Sequence, residues 1–537
     1  MSLCRQRELR LSINKKVVWL THFLFTYFPA MSSSSGLLNP SATVQESRLC
    51  KPIHHQDARD GILAFFGVRD ALDITWLHAV NSPEKLEQGL SGDTMMLEAD
   101  VLMRNNIVNG TPVMAHPPDV DSNLTLHSFL LQTTNSTKGI KLDFKTIEVV
   151  EPSLKMVQNV TFGQEVETPI WLNADILPGP CYDKVCVPVD HARFLSLCKS
   201  YFPNGTLSIS WTTGKNMTAP ENFYNWSQVL PMGQLVSEIA QPITFPVRAN
   251  LVQRSWEQLH WLLDLSETFT ITIWSSTTDN PDVQDLVALR YNVSDKRRIY
   301  DDLPPDQEKA FKDALASSSD RSKGYSESFP WKAMADKDCK DVLIGHNSVM
   351  FSGDGGQVVS EKVLYEVSAR EFSKIVGKVS FIKTGGEDAE RSVSISLHVK
   401  DATGAAIDSN SLVTLLLHSS GDVQFSLTNG DVKQGSIQSE TGVFKFVIVE
   451  SSSDSRQRSF RCDITAQDNE GDKVSVSLTT ESEPVGGYAL IRVGAQSDAI
   501  LVQDVSTGLA MPETAGGSPV HIQCWFQIFS VILSGFF

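Results

Sequence analysis

Basic residues are scarce in this sequence relative to acidic ones. Its 537 residues include 46 Lys and Arg against 63 Asp and Glu, which gives a net charge of -17 at pH 7. Proteins that bind nucleic acids, or that rest on membranes through a basic surface, have the opposite charge balance. The composition therefore argues against both classes and is compatible with cation binding.

Long hydrophobic runs are lacking as well. The apolar run at 17–30 follows a basic segment and is shorter than the roughly 20 residues that a membrane helix needs. A basic segment, a short apolar segment and a small-residue exit are the parts of a secretory signal. Residues 1–35 are therefore predicted to be a signal peptide or an uncleaved signal anchor.

The other terminal segment, 509–537, is an apolar tail that follows a cluster of small residues. A lipid-anchor signal has this order, but it also has a polar spacer, which is nearly missing here. A membrane tether and a buried apolar tail both stay open.

Cysteine is infrequent, with eight residues, and neither a zinc-binding spacing nor a His/Cys cluster is present. Cys181 and Cys186 are close enough to bridge one loop, as in proteins of an oxidising compartment. Eight N-x-S/T triplets, all before residue 300, predict N-glycans. Together with the leader they predict an extracellular, secreted protein. The triplets begin at Asn109, Asn123, Asn135, Asn159, Asn204, Asn216, Asn225 and Asn292.

The length and the apolar fraction of 41% predict two globular domains with tails. Eight apolar, strand-like runs alternate with helix-like segments between residues 60 and 300. This alternation predicts an α/β domain, a (β/α)8 TIM-type barrel, with an irregular connection between its second and third strands. The eight runs are 73–80, 94–103, 112–117, 138–144, 169–177, 206–213, 242–249 and 268–275.

The pattern changes after the barrel. Residues 301–337 are richer in charge, Ser and Pro, which predicts a linker. From 338 to 508, short runs alternate with period two and are separated by turn residues such as Asn429 and Gly430. This region is predicted to be an all-β sandwich or jelly roll, with a binding or structural role.

Two of the predicted barrel strands end in paired polar residues. Glu98 and Asp100 are two positions apart, and so are Asp143 and Lys145. Residues i and i+2 of a strand point to the same face, so each pair projects from one face where its apolar run stops. Barrel enzymes have their active sites at this end of the strands. The stretch 95–145 is therefore the predicted functional site.

The same stretch and its neighbourhood contain two histidines, His78 and His116. One imidazole can deprotonate an attacking hydroxyl while the other protonates the leaving oxygen. Oxygen ligands from Glu98, Asp100 and Asp143 suit Mg²⁺ or Ca²⁺, which neutralises charge on a phosphoryl group. The constellation predicts phosphodiester cleavage.

Further residues extend this predicted site. Lys145 is assigned a catalytic role, as a positive charge near the phosphoryl group. Four side chains on later strands are predicted to line the mouth and contact substrate: Asn173, Asp175, Arg248 and Trp274.

Five segments in order resemble the menorin family, within the superfamily of phospholipase-C-like phosphodiesterases. They read WLHAVNS, MMLEADV, PVMAHPP, KGIKLDFK and PIWLNADI, and the resemblance covers about residues 70–280. It implies that the two histidines flank a phosphate, that the carboxylates bind a metal, and that the substrate is a phospholipid or glycerophosphodiester. The chain departs from many such enzymes at Ala79, where they have Arg, and at Pro117, where an acidic residue is common.

Menorin-like proteins are better known as extracellular factors in neuronal patterning and tissue maintenance than as enzymes. The resemblance therefore implies a second hypothesis, which is a catalytically silent ligand that binds cell-surface receptors or adhesion proteins. The two hypotheses stay open on the sequence alone.

Overall fold

The structure is a computed structural model of the chain. It describes residues 58–510 except 162–167, 182–185, 215–216, 218, 294, 319–329, 334–340, 362, 365–371, 385–388, 401–403, 405–411, 455–456, 470 and 482–485. The predicted signal segment 1–35 and nearly all of the tail 509–537 lie outside the described residues. None of the helices within the described ranges is long and apolar enough to cross a membrane.

The first domain alternates strands and helices. Its strands are β1 (Trp76–Leu77), β2 (Met96–Met103), β3 (Pro112–Met114), β4 (Gly139–Phe144), β5 (Ile170–Leu177), β6 (Thr206–Trp211), β7 (Ile243–Arg248), β8 (Thr270–Trp274) and β9 (Ile299–Asp302). Its helices are α1 (Ala58–Phe66), α2 (Pro83–Ser91), α3 (Leu126–Thr133), α4 (Ile147–Thr161), α5 (His191–Tyr201), α6 (Trp226–Val236), α7 (Trp256–Asp264), α8 (Val283–Asn292) and α9 (Pro305–Ser317).

Eight of these described strands are parallel neighbours in the order β1-β2-β4-β5-β6-β7-β8-β9. This confirms the predicted barrel. Ring contacts inside it link its first and last strands, since Trp171 lies 5.2 Å from both Trp76 on β1 and Tyr300 on β9, measured between ring centroids. These rings fill the interior, so the barrel is a packed core with its chemistry confined to one end.

The identity of one barrel strand corrects the sequence prediction. The run 112–117 was predicted as the third parallel strand, but β3 pairs antiparallel with β2. Residues 104–111 make a tight turn in which Asn105, Asn106 and Asn109 have positive φ, a conformation that Asn tolerates. A parallel crossover needs a dozen or more residues, so this short connection permits only a hairpin.

The eighth parallel strand is instead β9, which pairs with β8 from Ile271–Ile299 to Trp274–Asp302. The barrel thus continues past the predicted boundary at residue 300. Part of the predicted linker 301–337 belongs to it, because α9 follows and buries Phe311 in the barrel core. Strand β9 was missed because two of its four residues are aspartates, which interrupt the apolar pattern.

The second domain is built of antiparallel strands, as predicted. They are β10 (Trp331–Ala333), β11 (Val342–Ile344), β12 (Ser348–Ser360), β13 (Phe372–Ile382), β14 (Ser392–Val399), β15 (Val413–His418), β16 (Asp422–Leu427), β17 (Val432–Ser436), β18 (Val443–Asp454), β19 (Gln457–Ala466), β20 (Lys473–Glu481) and β21 (Tyr488–Ala510). The 23-residue strand β21 pairs with β14 at its start and with β13 at its end, so it joins the strands beside β14 to those beside β13. Alternate side chains of β14, β15 and β16 are buried in a shared apolar core, as the period-two pattern predicts.

Helices α6 and α7 of the barrel pack against the sandwich. Leu343, Met350 and Leu501 of the sandwich lie in the same apolar cluster as the barrel core. Asp264, which ends α7, accepts hydrogen bonds from the backbone N–H of Asn347 at 3.0 and 3.1 Å. A continuous apolar core and the half-buried Asp264 carboxylate couple the two domains mechanically.

Candidate functional site

The three predicted metal ligands come together at the C-terminal end of the barrel. Strands β2 and β4 pair so that Asp100 lies opposite Asp143, and Glu98 lies opposite Lys141. Glu98 and Asp100 are 1% and 2% exposed. One ligand oxygen from each of Glu98, Asp100 and Asp143 lies within 4.8 Å of the others. Buried carboxylate oxygens at this spacing form a donor set that suits a hard divalent cation such as Mg²⁺ or Ca²⁺.

The Lys145 ammonium lies between two of these carboxylates. Its Nζ is 2.7 Å from Asp100 Oδ1 and 2.5 Å from Asp143 Oδ2. Burial opposes the charge of Asp100, but Lys145 and a 2.7 Å hydrogen bond from Asn81 outweigh it, so the pKa of Asp100 is lowered. Burial also opposes the charge of Lys145, yet the two carboxylates hold its pKa well above the usual value. Asp100 is therefore ionised and Lys145 charged at neutral pH.

His78 lies between two other carboxylates. Its Nδ1 is 3.1 Å from Glu98 Oε2 and 3.5 Å from Asp302 Oδ2, while its side chain is 58% exposed toward the mouth. The charge of Glu98, against the effect of burial and with a contribution from Asp302, raises the pKa of His78. Burial raises the pKa of Glu98 to about 7, although His78 acts in the opposite direction. His78 is consequently an imidazolium at neutral pH.

Asp302 is held in turn by Lys141. Lys141 Nζ lies 3.4 Å from Asp302 Oδ2, and both side chains are nearly inaccessible. Burial opposes the charge of Asp302, but His78 and Lys141 overcome it and lower the pKa of Asp302 to about 2. Both residues lie beside the predicted site, and neither was identified from the sequence.

His116 follows β3 and is exposed. Its Nδ1 lies 2.6 Å from the Pro117 carbonyl oxygen, which can only accept, so Nδ1 donates this hydrogen bond and Nε2 is left as the acceptor nitrogen of the neutral ring. The preceding residue, Ala115, donates its N–H to the Asp100 carbonyl, which holds this segment against β2. The structure therefore puts the segment that carries His116 against the strand of Asp100, while His78 contacts Glu98 directly.

The predicted substrate residues on β5 extend the same network. Asn173 donates to Asp143 Oδ1 at 2.7 Å and accepts from Ser208 at 2.6 Å. Asp175 opens to the mouth and accepts a hydrogen bond from Ser210. Loss of hydration of the carboxylate, together with the charge of Asp143, raises the pKa of Asp175 to about 6. Asn173 thus orients Asp143, a predicted metal ligand, and a substrate contact for either Asn173 or Asp175 stays a prediction.

Arg248 and Trp274 lie further round the mouth. The Arg248 guanidinium binds Asp279 through Nε at 2.8 Å and Nη2 at 2.6 Å, and its Nη1 donates to the Gly214 carbonyl. The guanidinium carbon lies over the Trp274 ring, 5.4 Å from the ring centroid. Because these donors already serve protein acceptors, Arg248 braces the rim in this structure; its predicted substrate role is a prediction still.

Three site residues were missed by sequence reasoning, and each left a signal. Asn81 follows His78 by three residues; its Nδ2 donates to Asp100 Oδ2, and its Oδ1 accepts the Asp100 backbone N–H. Lys141 stands two positions before Asp143, so the same i, i+2 rule that singled out Asp143 and Lys145 applies to it. Asp302 had the weakest signal, since it ends a strand that lacks an apolar run.

The Cys181–Cys186 disulfide closes part of the loop that follows β5. Cys198 and Cys462 are free thiols, both buried, among the described cysteines. Six of the eight predicted glycosylation asparagines are exposed, Asn225 is half-buried, and Asn216 lies outside the described residues.

Comparison with known proteins adds a family. The model of the menorin N-terminal domain matches residues 70–308. The human protein FAM151B is 41% identical over 247 residues, which cover 46% of this chain and 88% of that protein. The matched range ends after β9, so it includes Asp302.

Solved structures that align with part of this chain include the winged bean acidic lectin and a legume lectin-like domain from Entamoeba histolytica. The first is 12% identical with a TM-score of 0.25 and covers 36% of this chain and 96% of its own. The second is 10% identical with a TM-score of 0.24 and covers 35% and 91%. Likenesses at these scores say nothing about ligands.

Proposed function

Since this chain belongs to the menorin family, we propose that its barrel is a metal-dependent phosphodiesterase that acts outside the cell. The observation that supports this most strongly is the convergence of two buried carboxylates and one half-buried carboxylate, Lys145 and two histidines at one end of the barrel. A purely structural ion-pair network needs the carboxylates and lysines, but it does not need an exposed His116 beside them.

The residues have distinct roles in this proposal. A divalent cation held by Glu98, Asp100 and Asp143 would neutralise charge on the phosphoryl oxygens. His116, with its Nδ1–H held by Pro117, accepts the proton of the attacking hydroxyl at Nε2 as the new P–O bond forms. His78, charged by its two carboxylates, gives its proton to the leaving oxygen as the old P–O bond breaks.

We propose a phospholipid rather than a free glycerophosphodiester as the substrate. Three of the most exposed large apolar side chains are Ile107, Val108 and Val187, at 59%, 67% and 76% exposure. All three lie on loops that follow the C-terminal ends of β2 and β5, which border the mouth. Apolar side chains at this rim can enter a lipid surface, and the net charge of -17 favours a zwitterionic surface over an anionic one.

The exposed sequons and the Cys181–Cys186 disulfide support an extracellular location. Secretion through the leader, and a membrane tether through the tail, are part of this proposal. Mass spectrometry of the protein purified from culture medium tests both, because it reads glycan masses and the two terminal cleavage points.

The decisive test of activity uses purified full-length protein with Mg²⁺ or Ca²⁺, phosphatidylcholine vesicles and soluble glycerophosphocholine. His78→Ala and His116→Ala should each lower turnover by about 10²–10⁴-fold, because each removes one proton transfer. His127→Ala changes an exposed histidine on α3 that has no role in the proposed reaction, so it is the matched control and should be unaffected. Wild-type turnover no higher than that of the double histidine variant on every substrate would refute the proposal.

A second candidate is a catalytically silent ligand for cell-surface receptors or adhesion proteins. It is favoured by the internal pairing of the site, in which Lys145 and His78 already contact the carboxylates that would bind a metal. It also suits the rigid connection between barrel and sandwich. Binding to cell-surface ectodomains that survives His78→Ala would support it, whereas binding that disappears with the metal while the fold persists would exclude a simple scaffold.

A further inference from the structure

Glu98 has two partners in conflict. In the proposed function its carboxylate binds the divalent cation, yet in this structure Glu98 Oε2 is also the nearest acceptor for His78 Nδ1, at 3.1 Å. The same oxygen accepts the Ala79 N–H at 2.7 Å. A cation that draws the Glu98 oxygens toward itself weakens the hold of Glu98 on the imidazole, and the ring would then be free to turn.

A second acceptor already lies on the same ring nitrogen. Asp302 Oδ2 is 3.5 Å from His78 Nδ1, which is a short movement away from a hydrogen bond. Asp302 comes from β9, at the far end of the strand order from β1, whereas Glu98 and Asp100 come from β2, which pairs with β1.

Lys141 fixes this second acceptor in place. Its Nζ is 3.4 Å from Asp302 Oδ2, and it also lies 5.6 Å from the centroid of the Trp76 ring, two residues before His78. Lys141 is 4% exposed, and so is Asp302. A buried ammonium with these partners has little freedom, and neither member of the pair belongs to the metal-binding group.

We propose that Asp302, held by Lys141, is a positioning residue that takes over the His78 Nδ1–H when Glu98 binds the cation. The exchange keeps Nδ1 protonated and keeps Nε2 directed at the substrate. Glu98 can then bind the metal while His78, the general acid, keeps its orientation. The inference rests on the proposed function, since it assigns the exchange to metal binding at that site.

The test follows the His78 ring by ¹⁵N NMR in full-length protein labelled at histidine, at one fixed pH, while MgCl₂ is added. In the wild type the His78 signals should shift on addition of Mg²⁺ while Nδ1 stays protonated. In the double variant Asp302→Leu/Lys141→Met, which removes both buried charges together and so preserves the fold, Mg²⁺ should leave the Nδ1–H of His78 without an acceptor, and its ¹H–¹⁵N signal should disappear through exchange with solvent. Asp302→Asn/Lys141→Met restores an acceptor carbonyl and should restore the signal.

Asp301→Asn is the control for disturbance of β9. Asp301 is 2% exposed on the same strand, and neither of its carboxyl oxygens has a hydrogen-bond partner in the described structure. Its amide variant should leave the His78 spectrum unchanged. A Leu/Met variant whose His78 Nδ1–H signal persists in Mg²⁺, or a wild-type ring that Mg²⁺ does not affect, would overturn the proposal.

Turnover separates this inference from the proposed function. If the wild type cleaves phosphodiesters, the Leu/Met variant should lose about 10- to 100-fold in kcat with little change in KM, and the Asn/Met variant should recover most of it. If the wild type cleaves none while the NMR result holds, the proposed activity fails and the positioning of His78 by Asp302 stands.

Discussion

The barrel mouth and the interior of the sandwich both bury carboxylates, but they surround them differently. In the sandwich, Glu450 accepts from Arg458 Nε at 2.7 Å and also from Arg458 Nη2, and it faces His398 Nε2 at 2.9 Å. All three side chains are at most 4% exposed. Burial opposes the charge of Glu450, but His398 and Arg458 outweigh it, and its pKa is lowered. Here a single carboxylate has two partners, the Arg458 guanidinium and the His398 imidazole.

At the barrel mouth the ratio is reversed. Five carboxylates share two lysines and one imidazole, and the cluster opens to solvent through His78. The carboxylates are those of Glu98, Asp100, Asp143, Asp175 and Asp302. Burial is the main cause of the raised pKa of Glu98 and of Asp175, and the negative charges of Asp100 and Asp143 add to it. A sealed and balanced cluster serves stability, whereas an open and unbalanced one has capacity left for a cation and a substrate.

The sharpest test of the balanced cluster is Arg458→Met. The change leaves Glu450 buried beside His398 alone, so the free energy of unfolding should fall by about 3–5 kcal/mol. Urea denaturation of the full chain, read by fluorescence and circular dichroism, measures it. Arg461→Met on the same strand removes a half-exposed ion pair with Asp463 and should cost under about 1 kcal/mol. Equal losses in the two variants would show that the sandwich cluster is not special.

A buried carboxylate with no partner provides the opposite case. Burial raises the pKa of Asp301 to about 7, above the value near 3.9 of an unfolded chain. Its effect on stability is therefore most favourable below about pH 4 and is lost as the pH rises through 7. Asp301→Asn should raise the free energy of unfolding by about 2–4 kcal/mol at pH 8 and leave it unchanged near pH 4. A stabilisation that is equal at both pH values would contradict this assignment.

The unbalanced mouth should respond to divalent cations. Saturating Mg²⁺ or Ca²⁺, at about 100 times Kd, should stabilise the fold by about 2.7 kcal/mol, visible as a higher Tm that EDTA reverses. Asp143→Asn removes one ligand and should abolish most of the shift, while the matched surface change Asp121→Asn should not. If neither cation moves the Tm of the wild type, the carboxylate excess does not bind metal.

The smallest expected effect concerns the rim. Ile107→Glu/Val108→Glu should reduce turnover of phosphatidylcholine vesicles by about tenfold, because the apolar pair no longer enters the lipid. Turnover of glycerophosphocholine should not change. The double variant and the protein it is compared with both carry Asn109→Gln, so that a glycan at this triplet does not cover Ile107 and Val108. Equal losses on both substrates would indicate damage to the site instead of to a lipid contact.

Local pattern was enough to predict much of the fold and site. The short, nearly continuous apolar runs predicted parallel strands, because a strand buried on both faces is apolar throughout. The i, i+2 spacing predicted that Glu98, Asp100, Asp143 and Lys145 point into the mouth, because alternation of side chains along a strand is a local property. The same rule predicted the alternating burial in the sandwich. The boundary at residue 300 could not be placed this way, since β9 ends in two aspartates and carries no apolar run.

By itself, then, the sequence determined the two kinds of domain, the polar ends of the strands and the group of residues at the mouth. Only the tertiary structure decided that 112–117 is a hairpin strand, that β9 closes the set of eight, and that Asp302 meets His78 across 224 positions of sequence. The physical reason is distance along the chain. Periodicity describes neighbours within a strand, but which strands become adjacent depends on how connections and core packing bring remote segments together.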